Sequence, residues 1–279
     1  MKRSDIRLRD PFLLLWENRY YLYGTRGRDY PVPGFDVYVS DDLETWSEPK
    51  PVFGAFPGFW GTRDFWAPEV HVYRGKCYML ATFKSDTACR GTAVLVADRP
   101  DGEFVPWSNG PVTPRDWECL DGTLYVEDGT PYLVFCHEWL QIGNGTVCAV
   151  ALTPDLKAAA GEPFLLWAAA DAPWTFPVRH PGEFVTDGPF LFREDGVLKS
   201  IWSSFDASGY VEALAVSAGG IHGPWNAALP PVLTGHDGGH GMLLTDREGK
   251  RRFVCHQPNA APLERPVLYD WPAAGEVTA

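Results

Sequence analysis

Three aspartates and one histidine stand at matching places in a pattern that the chain repeats five times. The pattern starts at Asp10, Ala67, Asp121, Asp187 and His240, at spacings of 57, 54, 66 and 53 residues. Around them the sequence reads Arg9-Asp10-Pro11-Phe12, Trp66-Ala67-Pro68-Glu69, Leu120-Asp121-Gly122-Thr123, Thr186-Asp187-Gly188-Pro189 and Gly239-His240-Gly241-Met242. A single Asp before Pro or Gly is an ordinary turn starter. Three at equivalent repeat positions point to chemistry, because buried carboxylates are costly unless they are paired or have a task. Carboxylates grouped with an imidazole can do general acid–base work, one group taking a proton while another gives one.

The elements that must position these groups follow from the same repeat. Each start runs into an apolar stretch, then a turn: Glu17-Asn18-Arg19, Arg74-Gly75-Lys76, Glu127-Asp128-Gly129, Glu194-Asp195-Gly196 and Glu248-Gly249-Lys250. A second apolar stretch returns, which is a β-hairpin signature. After four of the hairpins a further strand follows, at residues 36–40, 93–96, 147–150 and 213–216. About four short strands per unit is the size of a propeller blade. The expected fold is all-β: a five-bladed β-propeller of about four antiparallel strands per blade, one domain over residues 1–279. Residues 265–269 offer the fifth blade a strand. One short helix is expected near Asp155–Ala160.

In a propeller the first strand of each blade lines the central channel, so the five starts should form a ring at its mouth. Glu69, two residues past Ala67, is expected on the same side of its strand. Each second strand returns to that mouth and should bring Arg26, Lys84, His137-Glu138-Trp139, Ser203-Ser204-Phe205 and His256-Gln257. Aromatic faces beside carboxylates suit a sugar, whose C–H groups stack while its hydroxyls hydrogen-bond. The expected substrate-binding set is Trp66, Glu69, Glu138, Trp139, Phe205, His240 and Arg265.

Composition narrows the partners. The net charge of −12 disfavours nucleic acid and anionic membranes, which call for basic patches, and fits a neutral oligosaccharide. No apolar run reaches the length of a membrane span. The first residues show no secretory h-region, so a cytoplasmic location is expected. The six cysteines form no C-x-x-C pair and read as reduced, mostly core residues. Phosphate-loop, H-E-x-x-H and G-x-S-x-G motifs are absent. Oligomeric state is left open.

At the five starts the chain resembles glycoside hydrolase family 43, the five-bladed arabinofuranosidases, xylosidases and arabinanases. The resemblance rests on Arg9-Asp10-Pro11, Trp66-Ala67-Pro68-Glu69-Val70, Leu120-Asp121-Gly122, Asp187-Gly188-Pro189 and His240-Gly241, in this order and spacing. It implies an inverting glycosidase acting on terminal arabinofuranosyl, xylosyl or related galactofuranosyl units. It implies Asp10 as general base, Asp121 as the residue that orients the acid and tunes its pKa, and His240 near the axis. No cofactor is required on this reading, though the family commonly holds a calcium ion through water at the His240 position. The family acid is usually Glu before Gly-Pro; here Asp187 stands there, one methylene shorter. Glu138 is the substitute candidate for that acid. The alternatives are a glycoside phosphorylase, with Arg26, Arg28, Lys84 and Arg265 as a phosphate cradle, a fructosidase-like enzyme, and a sugar-binding propeller without catalysis.

Overall fold

The computed structural model describes residues 1–27, 30, 32–232 and 237–271. It contains five antiparallel sheets, each built from strands consecutive in sequence. The first blade is β1 (Leu8–Trp16), β2 (Arg19–Arg26), β3 (Gly34–Ser40) and β4 (Lys50–Gly54). The second is β5 (Arg63–Tyr73), β6 (Lys76–Lys84), β7 (Gly91–Ala97) and β8 (Val105–Pro106). The third is β9 (Cys119–Glu127), β10 (Thr130–His137), β11 (Thr146–Ala151) and β12 (Phe164–Ala168). The fourth is β13 (Asp187–Glu194), β14 (Val197–Asp206), β15 (Gly209–Ser217) and β16 (Trp225–Asn226). The fifth has three strands among the described residues: β17 (Gly239–Thr245), β18 (Arg251–Gln257) and β19 (Arg265–Asp270). The blades form a five-bladed β-propeller.

Turn chemistry explains the hairpins. Between the first two strands of blades one to four lie two residues, both at positive φ: Glu17 and Asn18, Arg74 and Gly75, Asp128 and Gly129, Asp195 and Gly196. Two-residue loops of this kind match the twist of the strands they join. The fifth hairpin is longer, and Asp246 Oδ1 organises it by accepting the Glu248 and Lys250 N–H groups at 3.1 and 2.8 Å. The inner strands β1, β5, β9, β13 and β17 contact one another in a closed cycle. Apolar faces fill the seams. One core cluster joins blades five, one and two, and others join two to three, three to four, and four to five. The ring closes where Leu8 N–H donates to the Glu264 carbonyl at 3.4 Å and Arg9 pairs with the Glu264 carboxylate at 3.1 Å.

The short helix lies elsewhere than expected. Residues 155–160 form a turn and a bend that end in a bridge between Ala159 and Leu152. Asp155 accepts from the Thr153 hydroxyl and the Lys157 N–H, and Leu156 sits at φ +62°, which ends any helical run. The one α-helix among the described residues is α1 (Trp139–Ile142), and no helix there is long and apolar enough to cross a membrane.

Candidate active site

Each inner strand carries a bulge near its start. The pairing of first and second strands slips between Arg9 and Phe12, Trp66 and Glu69, Asp187 and Phe190, and Gly239 and Met242. In β9 the slip falls between Leu120 and Thr123. At the bulge the backbone turns left-handed: Asp10 φ +51°, Ala67 +43°, Asp121 +56°, Gly188 +51° and His240 +51°. Such conformations cost a non-glycine residue about 1–3 kcal/mol and persist where the surroundings enforce them. Five equivalent bulges thus aim five consecutive blades at one axis.

This corrects the ring in one blade. Gly188, and not Asp187, holds the fourth position. Asp187 sits one residue earlier, opposite Ser203, where the other blades place Arg9, Trp66, Leu120 and Gly239. A glycine is required at 188, because a Cβ there would lie 2.8 Å from the His240 ring. Asp187 still faces the mouth. A cavity of about 890 Å³ is lined by Asp10, Asp121, Asp187, Glu138, His240, Trp66, Trp139 and Phe205, together with residues that include Arg9, Thr25 and Arg179.

Of the expected substrate-binding set, Glu69 and Arg265 do not line that cavity, nor do Lys84, His137, Ser203, Ser204, His256 and Gln257 from the second strands. Glu69 is buried with its carboxylate 2.9 Å from His71 Nε2, and its charge still reaches Asp121. Arg265 turns to the ring seam and donates to the Ser4 and Pro262 carbonyls at 3.0 and 3.1 Å.

The three aspartates have different electrostatic surroundings. Burial pushes the Asp10 carboxyl up, but His240, Arg9 and His256 together with the Thr25 hydroxyl outweigh it and bring its pKa down to about 2. The contacts are short: His240 Nδ1 to Asp10 Oδ1 3.2 Å, and Thr25 Oγ1 donating to Asp10 Oδ2 at 2.5 Å. Asp187 goes the other way. Burial and the neighbouring Asp121 charge lift its pKa to about 7, although His240 and the Tyr210 hydroxyl oppose this. Tyr210 donates to Asp187 Oδ2 at 3.1 Å. Asp121 is also raised, by burial and by Asp10. It accepts the Gly188 N–H at 3.0 Å and faces His240 Nδ1 at 3.7 Å. The site therefore holds one strongly acidic carboxyl, Asp10, beside two raised ones, Asp187 and Asp121, the kind of separation that acid–base catalysis needs.

Glu138 is committed to another partner. Arg90 pairs with it and with Asp64, the latter at 3.0 Å, and the Arg90 guanidinium lies 4.5 Å over the Trp66 ring. Burial still raises the Glu138 carboxyl against the pull of Arg90. Across the cavity, Arg179 stacks 4.4 Å over Trp139.

Sequence reasoning did not single out Arg90, Tyr210 or Arg179. They lie outside the repeated starts, on a loop before β7, on a third strand and on the loop before β13. His256 was expected near the ring. It is fully buried, accepts the Asp10 N–H through Nδ1 at 3.2 Å and stacks on Tyr210. Burial drives its pKa down to about 3 despite Asp10, so it is neutral, and Nδ1 must be the unprotonated nitrogen.

No group of three or more His, Cys, Asp or Glu side chains among the described residues is arranged to hold a metal ion. His240 directs Nδ1 at two carboxylates. The described residues do not make a protein ligand set for calcium.

Comparison with known proteins adds the following. The family model Glycosyl hydrolases family 43 matches residues 4–271. A solved endo-arabinase from Bacteroides thetaiotaomicron VPI-5482 is 40% identical, with TM-score 0.91, over 99% of this chain and 98% of that one. An α-L-arabinofuranosidase from Lactobacillus brevis shares the fold at 16% identity and TM-score 0.77, over 99% of this chain and 97% of that one. Xylosidase/arabinosidase 43A of Humicola insolens is 23% identical over 151 residues, 49% of this chain. That match spans 45% of the Humicola protein's length.

Proposed function

The chain belongs to glycosyl hydrolases family 43, and from that premise we propose that its cavity hydrolyses L-arabinofuranosyl linkages in oligosaccharides by a single inverting displacement. One observation carries the reading: within one cavity Asp10 is held at about 2 and Asp187 is lifted to about 7. Between those values Asp10 is ionised and Asp187 protonated. Asp10 takes a proton from water as the water attacks the anomeric carbon. Asp187 gives its proton to the leaving oxygen. Asp121, beside Asp187, adds to the burial that raises the acid's pKa. Trp66 and Trp139 supply stacking faces for the sugar ring. Glu138, neutralised by Arg90, forms wall and not acid.

Arabinose is favoured over xylose by the endo-arabinase at 40% identity. Release of terminal units is the primary reading, and the same relative supports internal cleavage as the second. The residues expected as a phosphate cradle have other partners. Arg26 binds Asp36, Lys84 binds Glu118, and Arg265 faces the seam; Arg28 lies outside the described residues.

The test is turnover of nitrophenyl α-L-arabinofuranoside, β-D-xyloside and β-D-galactofuranoside beside α-1,5-arabino-oligosaccharides, with and without calcium and phosphate. The arabinoside and the oligosaccharides should be cleaved, and Asp10→Ala should abolish both reactions. Arabinose as the sole early product marks terminal cleavage; a mixture of oligomers marks internal cleavage. Sugar binding without turnover on any substrate would overturn the reading.

A further inference from the structure

We propose that the main-chain N–H of Gly188 is a positioning group for Asp121, and that Cys136 leaves it free for that task by offering no strong acceptor at its seam. The proposal rests on the hydrolase reading of the cavity.

The five seams between blades follow one rule with one exception. The residue paired with the last regular position of each inner strand is Thr25, Thr82, Cys136, Ser203 or His256. Four of these five reach the bulge of the next blade and accept its N–H. Thr25 Oγ1 takes the Ala67 N–H at 2.7 Å, and Thr82 Oγ1 takes that of Asp121 at 3.0 Å. Ser203 Oγ takes the His240 N–H at 2.7 Å, and His256 Nδ1 takes that of Asp10 at 3.2 Å. A buried backbone N–H must be satisfied, and these side chains satisfy it.

The third seam breaks the rule. Its residue is Cys136, fully buried, and a thiol sulfur is a weak acceptor. The Gly188 N–H goes instead to Asp121 Oδ2 at 3.0 Å. A hydrogen bond to a carboxylate is stronger than one to a hydroxyl. Asp121 is thereby pinned by an amide of the fourth blade while facing the imidazole of the fifth. The exception falls at the one blade whose bulge residue must approach the catalytic carboxylates as bare backbone.

Cys136→Ser and Cys136→Ala test this. Serine nearly matches cysteine in size and restores the acceptor used at the fourth seam. Alanine leaves a small void and no acceptor. If Cys136 only packed, alanine would be the worse substitution. The proposal expects the reverse in catalysis: kcat on arabino-oligosaccharides falls about tenfold or more in Cys136→Ser with KM kept, as misplacement of a working group does, and less in Cys136→Ala. A second readout is independent of turnover. In 15N-glycine-labelled protein the Gly188 amide resonance should shift on Asp121→Ala in the wild-type background and stay put in the Cys136→Ser background. Equal kcat in the two Cys136 variants, or a Gly188 resonance equally sensitive to Asp121→Ala in both backgrounds, would overturn the proposal. If no glycoside is turned over at all, the hydrolase reading fails, and the glycine resonance still decides the positioning claim.

Discussion

Asp187 is the residue at which family pattern and physical surroundings have to be reconciled. It is shorter than the usual glutamate, yet it has what an acid needs: burial, the Asp121 charge beside it and a Tyr210 hydroxyl that fixes one oxygen. The sign of the pH dependence follows. The acid must be protonated, so kcat/KM on oligosaccharides should hold below neutrality and fall as pH rises through about 7. Asp10, at about 2, stays ionised throughout. Asp187→Asn should remove the descending limb and lower kcat on oligosaccharides by about 10²–10⁴-fold, the usual worth of general acid catalysis. A nitrophenyl substrate, whose leaving group needs little protonation, should lose far less. A profile still descending near pH 7 in Asp187→Asn would assign that limb to another group.

At the scale of elements, the bulge and the loop before β7 do the positioning. The Arg90 guanidinium ties Asp64, Glu138 and the Trp66 ring into one wall. Arg90→Met should cost about 3–5 kcal/mol in denaturant unfolding, because it strands two carboxylates without their cation. A cost under 1 kcal/mol would show that solvent already screens the pair. The hairpins were legible in the sequence because their turn residues require positive φ at fixed offsets, as at Asp128-Gly129. The one-residue offset of Asp187 was not legible, since Asp187-Gly188-Pro189 and Asp10-Pro11 look alike as letters; only strand register separates them. Arg90 carried no sequence signal, because its partners lie far from it in the chain, Asp64 and Trp66 on β5 and Glu138 just after β10.

At the scale of the whole molecule, the five-fold repeat fixes where the three aspartates stand. Asp10 sits on the first blade, Asp121 on the third and Asp187 at the start of the fourth. Their separation is a property of the closed ring. Closure depends on contacts between the two ends of the described chain, Leu8 and Arg9 with Glu264 and Ser4 with Arg265. The ring was legible from five equivalent starts, whereas its closure was not, because the repeat says nothing of how its last copy meets its first. Carboxyls held apart by roughly 6.5–9.5 Å admit a water and invert the anomeric centre, whereas a pair at about 5–5.5 Å forms a covalent intermediate and retains it. The most direct measurement is therefore proton NMR of the anomeric signal in the first minutes of arabino-oligosaccharide hydrolysis, before mutarotation. The account predicts that the β-anomer of the released arabinofuranosyl end appears first from the α-linked substrate. Initial release of the α-anomer would contradict it.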